Sequence, residues 1–237
     1  MAIVHVIDYQ DGQGTTSAST SNATPGGSGV GFIVAGIIYN GGTLTSVTDT
    51  YGNTYSTVAL GSVDGAGLDN LVIAYAQASG SAGSGHVTVN ISAGTCVIGA
   101  GFFTGLATSS PLDRTQNANS GGANGTALDS GAAPTTQFAN ELLIGLGTQA
   151  TGATVGWTAG AGYTTITSEG AGASGRVMIL EYRIVSAAAA YNATATSNVS
   201  AKWGMGIATF SDTPVPGGGP GPSASLLYHR KNVLYFI

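Results

Sequence analysis

Charge is what this sequence has least of. Only 7% of its 237 residues are Asp, Glu, Lys or Arg, with six basic side chains against eleven acidic ones. Before the last fifteen residues the only basic ones are Arg114, Arg176, Arg183 and Lys202, each isolated from the others. A nucleic-acid surface needs clustered cations to displace counterions from phosphates, so no nucleic-acid partner is expected. Cysteine is nearly absent too. Cys96 stands alone, which excludes an intrachain disulfide framework and fits assembly in a reducing cytoplasm. No apolar run approaches the roughly 18 residues that span a bilayer as a helix, so no membrane partner is expected. The opening MAIVHVIDYQ has no basic start, uninterrupted apolar stretch or cleavage-like site, and reads as a first strand rather than an export signal.

What is abundant is glycine, with 39 residues, alongside Thr, Ser, Ala and Val, and 43% of the chain is hydrophobic in short alternating blocks. That profile predicts a folded, soluble protein of short strands and tight turns, without the Glu, Lys, Arg and Leu that long helices favour. In HVTVNI, Val87, Val89 and Ile91 face one side while Thr88 and Asn90 face the other. FIVAGII and CVIGAGFF are apolar throughout and are expected between two layers. The Ala187–Ala190 run reads as a loop, because its counterpart in the repeat described next is the turn SGSAGSG.

The chain repeats itself. FIVAGIIYNGGTLTSVT (Phe32–Thr48) aligns without gaps on LLIGLGTQATGATVGWT (Leu142–Thr158). YSTVAL then pairs with YTTITS, NLVIAYAQ with VMILEYRI, VTVNI from Val87 with TATSNV from Thr194, and CVIGAGFF with WGMGIATF. Tyr75 thereby falls against Tyr182 and Phe103 against Phe210. About ten strands in two matched sets predict an all-β fold, an antiparallel two-sheet β-sandwich with duplicated, jelly-roll-like halves. Two successive immunoglobulin-like sandwiches compete with it. One sandwich is favoured, because each half shows too few strands to close alone. Between the matched sets, Thr104–Glu141 has room for a connection or an extra strand. The organisation expected is a sandwich over 1–211, a Pro/Gly linker over 212–222 and an extended C-terminal arm over 223–237.

Chemistry-bearing patterns are sparse. GAGASG (Gly170–Gly175) matches a dinucleotide fingerprint by letter, but a strand follows it where a helix is required. Asp49 with Asn53, and Asp64 with Asp69, put oxygens on loops in numbers too low for calcium, and read as turn formers. Glu141, Glu169 and Glu181 are the candidates for a glycosidic acid pair, with solvated strand-face positions as the default. His5, His86 and His229 show no metal-ligand spacing. Trp157, Trp203 and ten tyrosines could stack on sugars or simply pack. The triplets Asn22-Ala23-Thr24 and Asn192-Ala193-Thr194 follow from composition. No cofactor and no enzymatic activity are expected.

VTDTYGNTY (Val47–Tyr55), GLATSSPLD (Gly105–Asp113), ANELL (Ala139–Leu143) and RIVSA (Arg183–Ala187) together resemble a Gly/Thr-rich β-sandwich family. Similar sequences occur in bacteriophage structural proteins and bacterial surface proteins. The resemblance spans roughly Ala2–Ser211 and implies a non-catalytic binding or structural module, with no catalytic residues to carry over. The absent export signal, the single copy and the arm favour the phage-particle branch.

That arm is the greasiest short segment of the chain. Leu226, Leu227, Tyr228, Val233, Leu234, Tyr235, Phe236 and Ile237 flank the polar centre His229-Arg230-Lys231-Asn232, after the spacer PVPGGGPGP. Each large apolar side chain left in water forgoes about 1.5 to 3 kcal/mol of burial, so the arm requires a surface. That surface could be its own sandwich, a second subunit or the exposed sheet edge of another protein. Its apolar side chains, with Arg230 and Lys231, are the candidate partner-binding residues. The expected function is a non-enzymatic virion structural protein, a capsid decoration, fibre or tail component, attached or oligomerised through the arm. It would assemble in the host cytoplasm. The alternative is a carbohydrate-binding or adhesive module of a bacterial surface, with a glycan as partner, and a glycoside hydrolase comes third.

Overall fold

The computed structural model describes residues 2–26, 30–63, 69–79, 83–131, 135–170 and 176–216. The arm residues named above, from Leu226 to Ile237, lie outside the described residues. Fourteen strands and no helix occur among the described residues, and every strand pairing is antiparallel. The first six are β1 (Val4–Ser19), β2 (Val30–Asn40), β3 (Leu44–Asp49), β4 (Ser56–Ser62), β5 (Asn70–Ser79) and β6 (Val87–Thr104). The other eight are β7 (Leu112–Asn119), β8 (Gly125–Asp129), β9 (Asn140–Gln149), β10 (Trp157–Ala159), β11 (Thr164–Glu169), β12 (Met178–Ser186), β13 (Thr194–Ala201) and β14 (Trp203–Ser211).

The chain is an all-β sandwich with duplicated halves, and the duplication reaches further than the sequence repeat. One large sheet runs β1-β6-β2-β5-β4, and the other runs β7-β14-β9-β12-β11. These are the same order once each strand is replaced by its mate. The smaller layers match as well. β3, the first part of β6 and the end of β1 pair in the first half, as β10, β13 and β8 do in the second. Each half therefore winds as a jelly roll by itself, with a large and a small sheet enclosing a core. The expectation that a half has too few strands to close alone does not hold. β1 and β6 serve both layers, with β1 turning between them at Thr16, whose φ is 58°. The Thr104–Glu141 segment supplies two strands, β7 and β8, which repeat the two parts of β1.

The large sheets stack face to face, giving four layers in the order small, large, large, small. The central core holds Val34, Ile38, Ile73 and Phe103 from one half against Ile144, Leu146, Leu180 and Phe210 from the other. Separate cores fill the space between large and small layers, around Ile33, Ile37 and Phe102 in the first half and Leu143, Ile179 and Met205 in the second. With both faces covered, β2 is buried from Gly31 to Ile38 and β6 from Cys96 to Phe103, as their continuous apolar runs require. Val87, Val89 and Ile91 point inward from the small layer, as their alternation predicts.

A pseudo-twofold axis relates the halves. Tyr75 meets Phe210 edge-on at 5.1 Å, and the mates of these residues, Tyr182 and Phe103, meet edge-on at 5.5 Å. Asp69 forms an ion pair with Arg176, its own mate, on the axis. Such reciprocity is the contact pattern of a symmetric dimer, here within one chain. The close approach depends on glycine. A Cβ on Gly206 would lie 2.7 Å from Leu60 Cβ, and one on its mate Gly99 would collide with Thr167.

Since Phe103 and Phe210 occupy equivalent sites in one shared core, Phe103→Ala and Phe210→Ala should each cost about 3 to 5 kcal/mol. Each variant should still unfold in a single transition. Chemical denaturation checks this, and separate melting of the halves would contradict the shared core.

Candidate functional site

The acidic residues are the natural place to seek chemistry, and three of them are buried. Glu141 opens β9 on the same face as Leu143 and is completely enclosed, at 0% exposure. Asp113, Thr209 and the Phe138 backbone are the polar groups around it, and neither Glu141 oxygen makes a well-formed hydrogen bond. Burial first, then the neighbouring Asp113 carboxylate, pushes Glu141 up to about 8. Asp113 is held by the Gln137 backbone amide at 2.7 Å and its side-chain amide at 2.6 Å. Glu181, in β12, is also at 0% exposure and accepts the Gly160 amide at 2.9 Å through Oε2. Burial pushes it up to about 7.

The expected solvated positions for Glu141 and Glu181 are thus overturned. Their alternation with apolar residues does place them on the outer face of the large sheet, but β8, β10 and β13 cover that face. Glu169 ends β11 half-buried, and its carbonyl accepts the Trp157 indole N–H at 3.1 Å. Glu181 pairs with Gly145, four residues along β9 from Glu141, so the two carboxyls sit about 13 Å apart at strand rise. Paired glycosidase carboxyls stand about 5 to 9.5 Å apart across an open cleft. The mates of Glu141 and Glu181 in the first half are Gly31 and Ala74, so the fold itself does not require these acids.

The remaining acids serve structure. Asp49 accepts from the backbone amides of Tyr51 and Asn53, the Asn53 side-chain amide and the Tyr55 hydroxyl, which orders the DTYGN turn as a turn former does. Asp69, at 1% exposure, is pushed up to about 6 by burial, against the pull of Arg176. Asp64 and residues 171–175 of the GAGASG match lie outside the described residues. No cluster of three or more His, Cys, Asp or Glu side chains occurs among the described residues. His5 bonds Asp8 at 2.7 Å and stacks on Tyr182 at 4.6 Å, while His86 bonds Asn22 at 2.9 Å. His229 lies outside the described residues. Burial pushes the Cys96 thiol up to about 11, so it stays protonated. Trp157 and Trp203 are half-buried against the outer core of the second half and form no exposed platform.

Several surface hollows remain among the described residues, and two of them have the lining of a binding site. The first, of about 420 Å³, is lined by Leu44, Thr45, Ser46, Val47, Asn53, Thr54, Tyr55 and Thr57. The second, of about 470 Å³, lies where β1 begins and β12 ends, between the large sheets. Ala2, Ile3, Ile184 and Val185 give it aliphatic walls, and Asn140, Ser186 and Asp212 a polar rim. Ile184 is 40% exposed there. Asp212 accepts from Asn140 at 3.2 Å and from the Thr213 hydroxyl at 3.1 Å, and has no ion-pair partner among the described residues. Just beyond it, buried Val215 donates its amide to the Ser110 carbonyl at 3.1 Å. No sequence signal marks the hollow, because its residues come from four separate segments. No family model, curated protein or solved structure matches the chain.

Buried acids make stability depend on pH with a definite sign. Glu141 and Glu181 hold their protons in the fold to about 8 and 7, whereas an unfolded glutamate releases its proton near 4.5. Between these limits the native state binds more protons than the unfolded one, so stability falls as pH rises. The melting temperature should therefore drop from pH 5 to pH 8.5, and the double variant Glu141→Gln, Glu181→Gln should flatten that slope. A parent protein that gains stability over this range would contradict the assignment.

Proposed function

We propose that the chain is a non-enzymatic structural component of a bacteriophage particle, a capsid decoration protein or part of a fibre or tail. The sandwich is its body and the arm joins it to neighbouring subunits. The observation that carries this reading is the contrast between the two. The body covers its apolar faces with its own layers, and among the described residues only Val4, Val30 and Ile184 are exposed large hydrophobics. The arm packs eight large apolar side chains into fifteen residues. The buried carboxyls support a non-catalytic role, since each is enclosed away from any cleft a substrate could enter. The family resemblance of the sequence supports the particle setting.

The second reading is a carbohydrate-binding or adhesive module. The hollow of about 420 Å³ favours it, being uncharged and rich in hydroxyls from Thr45, Ser46, Thr54 and Thr57. Aromatic stacking does not, given the half-buried tryptophans.

Light scattering after size exclusion tests the first reading, using the full chain and a version stopped at Pro216, which keeps the Val215 anchor. The full chain should form a defined oligomer and the shortened one a monomer; two monomers would overturn self-assembly through the arm. On a glycan array the full chain should be silent. Strong binding lost on Thr45→Arg would favour the second reading instead.

A further inference from the structure

We propose that the hollow lined by Ile3, Ile184, Val185 and Asp212 is the seat for the apolar arm of a neighbouring copy. The proposal rests on the assembly reading above and names the surface the arm binds.

Three observations lead to it. The hollow combines aliphatic walls, in which Ile184 is 40% exposed above buried Ile3 and Val185, with a carboxylate that lacks an ion-pair partner among the described residues. The arm offers the complement, two apolar patches around Arg230 and Lys231. The hollow's location matters as well. Asp212 stands four residues before Pro216, the last described residue, so the hollow is close in sequence to the root of the arm. Ten peptide steps separate Pro216 from Leu226, enough to reach about 33 to 36 Å when extended and so to bring the arm to a hollow on an adjoining body. Finally, the equivalent hollow of the first half is smaller, about 180 Å³, with Gln77 and Ser110 in its lining and no acid. The mates of Ile184 and Asp212 are Gln77 and Gly105, so each body carries one acidic, aliphatic seat and one arm. An arm seated in the next body makes a head-to-tail contact, which closes into a ring or extends as a filament according to its rotation.

Zero-length carbodiimide cross-linking tests this on the full chain. Light and heavy-isotope protein are unfolded together in equal amounts and refolded, so that the two kinds mix at random in the assemblies. Carbodiimide should then join Lys231 to Asp212, with light–heavy pairs as abundant as uniform ones. Links found only within one isotope would mean that the arm fills its own hollow, and would overturn the neighbour as donor. An oligomer without any Lys231–Asp212 link would overturn the hollow while leaving arm-driven assembly standing. A monomeric full chain would overturn both. Independently, Ile184→Asp in the full chain should abolish the oligomer at concentrations where the parent forms it, with an unchanged melting temperature of the body. Persistence of the oligomer would overturn the seat.

Discussion

Everything in this molecule depends on two large sheets being covered on both faces. A strand enclosed from both sides can carry almost no charge, because a buried ion must find a partner or give up its ionisation. The central strands of the large sheets are therefore almost free of charge, while exposed positions such as 15–17, 92–94 and 152–154 carry small polar residues, glycine and alanine instead. Glycine has a second use here beyond turns, since Gly99 and Gly206 let the two sheets approach without spacers. The central core, with its edge-on aromatic pairs related by the axis, joins two jelly rolls into one body.

Much of this was legible in the sequence. The gapless match of Phe32–Thr48 on Leu142–Thr158 puts β2 on β9, and the equivalences Tyr75–Tyr182 and Phe103–Phe210 hold in the strand register. The VTVNI match is off by one, because Asp49 pairs with Val87 while its mate Ala159 pairs with Ala195 rather than Thr194. The second half is one residue shorter between these points, with eight steps from Ala195 to Trp203 against nine from Val87 to Cys96. β7 escaped notice because LDRTQNAN is a polar edge strand without apolar alternation, although it repeats β1. The burial of Glu141 and Glu181 was equally hidden. Alternation shows which face a side chain takes, but the layer that covers that face is built from strands distant in sequence.

The duplication also serves as an internal control. Features shared by both halves belong to the fold, and features of one half alone call for a separate account. The enclosed glutamates, the acid beside the aliphatic hollow and the hydroxyl-lined hollow near Tyr55 each belong to one half alone. Two of the three lie in or beside the second half, at positions where the first half has glycine, alanine or glutamine.

The ion pair on the axis carries a consequence for pairing. If two copies of the first half met through this surface, Asp69 would face Asp69 in a dry interior. Two second halves would oppose Arg176 with Arg176. Both homotypic unions leave like charges buried together, while the union within the chain neutralises them. The pair therefore favours union of unlike halves over union of like ones.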